Sequence, residues 1–295
     1  MKYIACVFLK EGIDEKQPSP MVGVDYHTLK SGLEFIKNYL DQGIRDFLVF
    51  GSTDNKSIEF ACADGLIKNF IKTAKEKFGT SIVIYADVGL SPYSTDGHSL
   101  IMVDEKVDYQ KSYEIAGKLA VVFAGAGADY VCPCLPLENQ VCEVKKSLSE
   151  SGMSSVKIMG YSAKFSSSLY GPYFKTIQSP KDGKIPYEFH IAPLNAEEAL
   201  NHIFEDEKQG ADIVMIKPAM MYLDIIYRAR QQTGLPISVY HVSGEYSMLK
   251  EGGRIDIVDE NEAFDEIHSA FKRCGVDYVI GYAPDHFLRW SNKNN

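Results

Sequence analysis

The sequence predicts an α/β fold, a (β/α)8 TIM barrel formed as a single domain over residues 1–295, and three observations predict it. Eight apolar runs of strand length alternate with helix-length segments. A short phrase recurs, as GIRDFLVF at Gly43, GADYVCP at Gly127, GADIVMIKP at Gly210 and GVDYVIGY at Gly275. Each copy follows an amphipathic stretch and opens an apolar run, so the glycine reads as a helix C-cap and the residues after it as a buried strand. No Pro/Ser linker, low-complexity block or composition shift divides the chain. A doubly wound open sheet would share the alternation, but eight strands over nearly three hundred residues fit a closed parallel barrel better.

The strands are expected at Tyr3 to Phe8, Asp46 to Phe50, Ser81 to Ala86, Asp129 to Cys132, Val156 to Met159, Ile213 to Ile216, Ile237 to Val242 and Asp277 to Gly281. Ahead of Gly43, Leu29, Leu33, Ile36 and Leu40 fall on one helical face; ahead of Gly275, Phe264, Ile267 and Phe271 do the same. The longest irregular stretches, Ser91 to Gln110 and Ser166 to Pro193, both follow strands, where a barrel carries its active-site loops.

Net charge is −9 and no Lys/Arg run stands out, which argues against nucleic acid or a membrane surface as partner and leaves a small molecule. The opening apolar run, closed by Lys10 and Glu11, is too short for a membrane span and lacks a signal peptide's cleavage region. Six cysteines in a chain this long do not make a disulfide scaffold, so the expected setting is cytoplasmic with reduced thiols.

If the barrel forms, the residues just after each strand share one mouth: Asp87, Cys134, Tyr161 to Lys164, Lys217, His241 to Ser243 and Tyr282. Lys217 ends an apolar strand, where burial disfavours the ammonium and frees an amine for Schiff-base chemistry. A lone lysine there more often snorkels its head to water past an apolar rim. A second lysine, Lys164, a few residues past strand five, changes the balance, because two ammonium groups in one pocket repel and lower the proton affinity of at least one. Tyr161, Tyr170 and Tyr173 would line the pocket or pack beneath a lid. Asp96 and His98 offer ligand or acid/base groups, although a loop Asp-Gly-His is more often turn chemistry with a solvated histidine, and His241 reads as a hydrogen-bonded pocket wall.

The segments YADVGLSPYSTDGHS, IMGYSAKFSSSLYGPY, ADIVMIKPAMMYLDII and VYHVSGEYSML resemble those of the porphobilinogen synthase (5-aminolevulinate dehydratase) family over nearly the whole chain. The resemblance implies a barrel enzyme, a lyase, that joins two molecules of 5-aminolevulinate into a pyrrole for tetrapyrrole biosynthesis. It implies a Schiff base between Lys217 and the first substrate and another between Lys164 and the second. Ser243 and Tyr282 would hold the first carboxylate, Asp87 would lie by the second site, and His190 takes the place of a family glutamine there.

Departures gather on one side of that scheme. Where zinc-dependent relatives carry Cys-x-Cys-x₇-Cys and others carry aspartates, this chain has Gly89, Ser91 and Ser99. Two arginines that grip the second carboxylate map onto Phe174 and the neighbourhood of Pro186, leaving only Lys175, Lys181 or Lys184 as point charges. The family's SDMMDGR loop reads CLPLENQ, and a magnesium-binding glutamate aligns with His202. These changes predict an altered second-substrate site joining aminolevulinate to a different amino ketone. A true porphobilinogen synthase, a non-catalytic aminolevulinate-binding relative and a class I aldolase are the alternatives. Cys132, Cys134 and Cys142 repeat the family's cysteine spacing after strand four, so zinc is a possible cofactor on those three thiolates. The family's N-terminal arm is expected to be missing, which favours a homodimer over an octamer.

Overall fold

The computed structural model describes every residue except 55, 58–64, 96, 98, 105, 179–189 and 295. Eight parallel strands close into a barrel: β1 (Lys2–Lys10), β2 (Asp46–Ser52), β3 (Val83–Val88), β4 (Tyr130–Pro133), β5 (Lys157–Lys164), β6 (Ile213–Lys217), β7 (Ile237–Tyr240) and β8 (Tyr278–Gly281). They neighbour one another in chain order and β8 returns to β1, Ile4 lying opposite Ile280. Closure, rather than the open sheet, follows.

The helices are α1 (Leu29–Asp41), α2 (Leu66–Phe78), α3 (Tyr109–Gly125), α4 (Gln140–Glu150), α5 (Gly171–Thr176), α6 (Ala196–Gln209), α7 (Leu223–Arg230), α8 (Ser243–Arg254), α9 (Glu260–Arg273) and α10 (Pro284–Asn294), and all but α5 pack around the outside. Strand alternation sorts the core into two layers. Along β1, Ile4, Cys6 and Phe8 point into the barrel, while Tyr3, Ala5, Val7 and Leu9 meet the helices. Gly43, Gly127, Gly210 and Gly275 all take positive φ, between 82° and 104°, as the expected helix-to-strand turns require.

Most strand ends differ from the sequence expectation by one or two residues, and the end of β5 by five. A 3₁₀ turn at Gly79–Ser81 delays β3, β7 stops at Tyr240, and β5 continues through Lys164. The irregular stretch after β5 contains a 3₁₀ turn, Ser168–Tyr170, and α5, both of which cover the barrel mouth.

The recurring aspartate of the Gly phrase has a structural use. Asp129, Asp212 and Asp277 each accept a hydrogen bond from the backbone N–H of the preceding strand's start, Ile84 (2.7 Å), Ile158 (2.8 Å) and Ile237 (2.8 Å). These carboxylates join strands two at a time at the end opposite the mouth. Asp277→Ala leaves the N–H of buried Ile237 without its acceptor and removes the Arg230 ion pair. A loss of roughly 1–3 kcal/mol in urea-denaturation stability is expected, with turnover unchanged.

Among the described residues no helix is long and apolar enough to cross a membrane. Among the described residues, Cys6, Cys132, Cys134, Cys142 and Cys274 are free thiols.

Candidate active site

At the strands' C-terminal ends lies a pocket whose lining includes Lys217, Lys164, Asp87, Tyr161, Ser243 and Tyr282. Lys217 is the last residue of β6 and Lys164 the last of β5, and the two are direct partners across the parallel pair. Neighbouring strands run about 4.8 Å apart, so the two side chains rise side by side from adjacent roots.

That pairing depends on an irregularity. Val214 lies opposite Gly160, but Ile216 lies opposite Ala163, so β5 spends three residues where β6 spends two. Met159 and Tyr161 point into the barrel, whereas Ala163 joins the outer layer. In an unbroken pleat Ala163 would face inward and Lys164 outward. The bulge restores Lys164 to the inside.

Lys217 is 7% exposed and its ammonium stands over three tyrosine rings, with Nζ 4.7 Å from the centroid of Tyr161, 4.8 Å from Tyr240 and 5.1 Å from Tyr170. Burial lowers its pKa from the ordinary 10.5 to about 8; nearby Lys164 pushes the same way, against the opposing pull of Cys134 and Asp87. Lys164 is half-buried and donates to Cys134 Sγ at 3.4 Å. Asp87 is buried and accepts from Tyr161 Oη at 2.8 Å. Burial raises its carboxyl pKa, while the tyrosine hydrogen bond and the two lysines work to keep it ionised.

The short VSGEY run builds the opposite wall. Ser243 Oγ accepts from Tyr173 N (3.0 Å) and donates to Leu169 O (3.2 Å), fixing the segment that carries Tyr170 and Tyr173 over the pocket. Gly244 permits the approach, since a Cβ there would lie 2.6 Å from the Leu169 backbone. Tyr246 Oη reaches Val22 O (2.9 Å), tying in the loop after β1. Tyr170 Oη donates to the carbonyls of Phe165 (2.8 Å) and Lys217 (3.2 Å). Tyr282 and Tyr240 share a hydroxyl hydrogen bond of 2.8 Å. His190 and Phe174 complete the side nearest Tyr170.

Of the residues expected at the mouth, Asp87, Cys134, Tyr161, Lys164, Lys217, Val242, Ser243 and Tyr282 line the pocket, whereas Ala163 joins the outer layer and Ser162 and His241 are not among the lining residues. Because Tyr240 faces inward, His241 faces out, packed between Phe264 and Phe271, and burial lowers its pKa to about 3. Sequence reading placed it on the wrong side and passed over Tyr240, because alternation along β7 says that the two neighbours face opposite ways but not which of them faces inward. Asp96, His98, Lys181, Lys184 and Pro186 lie outside the described residues.

The cysteine spacing does not become a metal site. Cys132 is fully buried in the barrel, Cys134 lines the pocket, and Cys142 is exposed on α4 with its N–H bonded to Gln209 Oε1. Spacing along the chain misled because α4 begins at Gln140 and turns Cys142 away. Among the described residues no three His, Cys, Asp or Glu side chains gather closely enough to hold a metal ion. After β3, a Cβ on Gly89 would meet Asp87 Oδ2 at 2.7 Å, so the aspartate fills the space a ligand side chain would need. Ser91 and Ser99 line the pocket without a thiolate or carboxylate. Among the described residues, no set of side chains fits the family's metal.

A family model described as delta-aminolevulinic acid dehydratase matches residues 1–290. The delta-aminolevulinic acid dehydratase of Escherichia coli (strain K12) is 35% identical over 280 residues, which cover 94% of this chain and 86% of that protein. The chloroplastic enzyme of Selaginella martensii is 36% identical over 300 residues, covering 98% of this chain and 70% of the relative. The crystal structure of delta-aminolevulinic acid dehydratase (porphobilinogen synthase) from Toxoplasma gondii ME49, in complex with the reaction product porphobilinogen, superposes with a TM-score of 0.95 at 30% identity, covering all of this chain and 86% of that one. With the barrel, the lysine pair and the whole-length match in agreement, the chain belongs to the delta-aminolevulinic acid dehydratase family.

Proposed function

We propose that the protein is a Schiff-base dehydratase that condenses two molecules of 5-aminolevulinate into porphobilinogen, releasing two waters. The observation that carries this reading is the in-register pair Lys217 and Lys164, two amines at the ends of adjacent strands in one pocket. A class I aldolase needs only one.

Lys217 is the first nucleophile. Its free amine adds to the ketone carbon, and the carbinolamine loses water to an iminium that makes the neighbouring carbon acidic. The three tyrosine faces suit that cation as they suit the ammonium. Lys164 captures the second ketone in the same way. Asp87, backed by Tyr161 Oη, is the carboxylate set to take and return protons. Ser243 and Tyr282 would receive the first carboxylate. A cytoplasmic setting and assembly into a homo-oligomer belong to the same proposal.

One observation favours a second reading, in which the partner of aminolevulinate is a different amino ketone. Phe174 lines the pocket and no arginine is among the described lining residues, so no bidentate fork awaits a second carboxylate. Incubation of the purified protein with 5-aminolevulinate alone, followed by assay for porphobilinogen and by borohydride trapping, separates the two. Sustained formation of porphobilinogen supports the first reading and ends the second. An adduct on Lys217 without product favours the second, and neither adduct nor product ends both.

A further inference from the structure

We propose that Glu245 is a positioning residue for the Schiff-base step, holding the Lys217 strand end at a fixed place relative to the Ser243 hydroxyl. This rests on the function proposed above. Glu245 is fully buried and absent from the pocket lining, so it acts through its neighbours. Its Oε1 accepts from Met220 N (2.6 Å) and Ala219 N (3.0 Å), and its Oε2 from Val242 N (2.8 Å), with Ala219 N also 3.3 Å away.

The bond to Val242 is half of an ordinary capping box, in which the third helical residue reaches back to its own cap. Helix capping has no use for the other contacts. Those run to the loop that leaves β6 directly after Lys217 and Pro218, while Val242 immediately precedes Ser243. One carboxylate therefore joins the segment bearing the nucleophile to the helix end bearing the proposed carboxylate-binding hydroxyl.

The chemistry requires acceptors on both sides. Glutamine offers one oxygen and one donor nitrogen, so whichever way its amide turns, an NH₂ confronts a backbone N–H. Burial pushes the Glu245 carboxyl pKa up to about 7 against the pull of the three N–H groups, which favour the ionised form with acceptors on both oxygens.

The test compares rates of borohydride trapping of 5-aminolevulinate on Lys217 in the full-length protein, located by peptide mass spectrometry. Glu245→Gln is expected to slow trapping by roughly 10- to 100-fold and to move its pH midpoint upward, as the enclosure of Lys217 loosens. Glu245→Asp, which keeps two acceptor oxygens on a shorter stem, is expected to recover part of the rate. Asp277→Ala, destabilised at the opposite end of the barrel, is expected to trap at the parental rate. Trapping by Glu245→Gln at the parental rate and pH midpoint overturns the inference, as does an equal slowing in Asp277→Ala. Should Glu245→Gln not fold, Glu245→Asp decides: slowed trapping supports the role and a parental rate removes it. Absence of an adduct in the parent protein overturns the proposed function itself, and this inference with it.

Discussion

Lys217→Met is expected to eliminate the borohydride-stable adduct with 5-aminolevulinate and to cut turnover by roughly 10⁴-fold or more, the scale on which loss of a covalent nucleophile falls. It is also expected to unfold at a higher temperature than the parent. Methionine is unbranched, apolar and of similar length, so it fills the tyrosine-lined site while removing a buried cation. Lowering the lysine's pKa from 10.5 to about 8 corresponds to roughly 3 kcal/mol against the native state while the ammonium persists. The sign fixes the pH window. Below pH 8 both folded and unfolded states hold the proton and the full penalty applies. From 8 to 10.5 the unfolded chain binds more protons than the native one, so parental stability rises with pH and the variant's advantage shrinks. Trapping in the parent follows the free amine and levels off above pH 8. At pH 7 about one amine in ten is free, against about one in three thousand for an ordinary lysine. Melting curves and trapping rates across pH 6–11 check both; a variant no more stable than its parent, or trapping independent of pH, contradicts the account.

Lys164→Met is expected to separate capture from condensation. The Lys217 adduct should still form, because its strand end, its tyrosine rings and its tie to Glu245 are untouched. Product formation should fall by at least roughly 10³-fold, since the second ketone then has no amine to activate it. Mass spectrometry after borohydride treatment should find adducts on both lysines of the parent and one on the variant. A variant that makes product at close to the parental rate would reduce Lys164 to a rim lysine whose contact with Cys134 has no chemical consequence.

Much of this architecture is legible in the residues because it follows from burial and spacing. The positive-φ glycines and the apolar runs behind them announce the helix-to-strand turns, and eight such runs close a barrel. Lys217 announces itself as a charge at the end of IVMI, and SAKF supplies its partner. What stays hidden depends on phase or on contacts distant in the chain. His241 was assigned to the pocket because nothing in VYHV says which of Tyr240 and His241 turns inward. Three cysteines at a suggestive spacing dispersed because the start of α4 rotates one of them to the surface. Glu245 reads as a helix-cap residue, and its second attachment, 25 and 26 residues away, becomes visible only in three dimensions.

The extra residue in β5 makes the two-amine arrangement an all-or-none property. A pleat offers only inward and outward, so there is no intermediate setting through which the neighbour of Lys217 could drift by small substitutions. Straightening β5 with every residue retained would place Ala163 beside Lys217 and turn Lys164 toward the helices, whereas loss of Ser162 would remove the extra residue and leave Lys164 inward, opposite Lys217. The second amine thus hangs on the phase of a single strand, whereas the loops above the mouth remain free to change residue by residue.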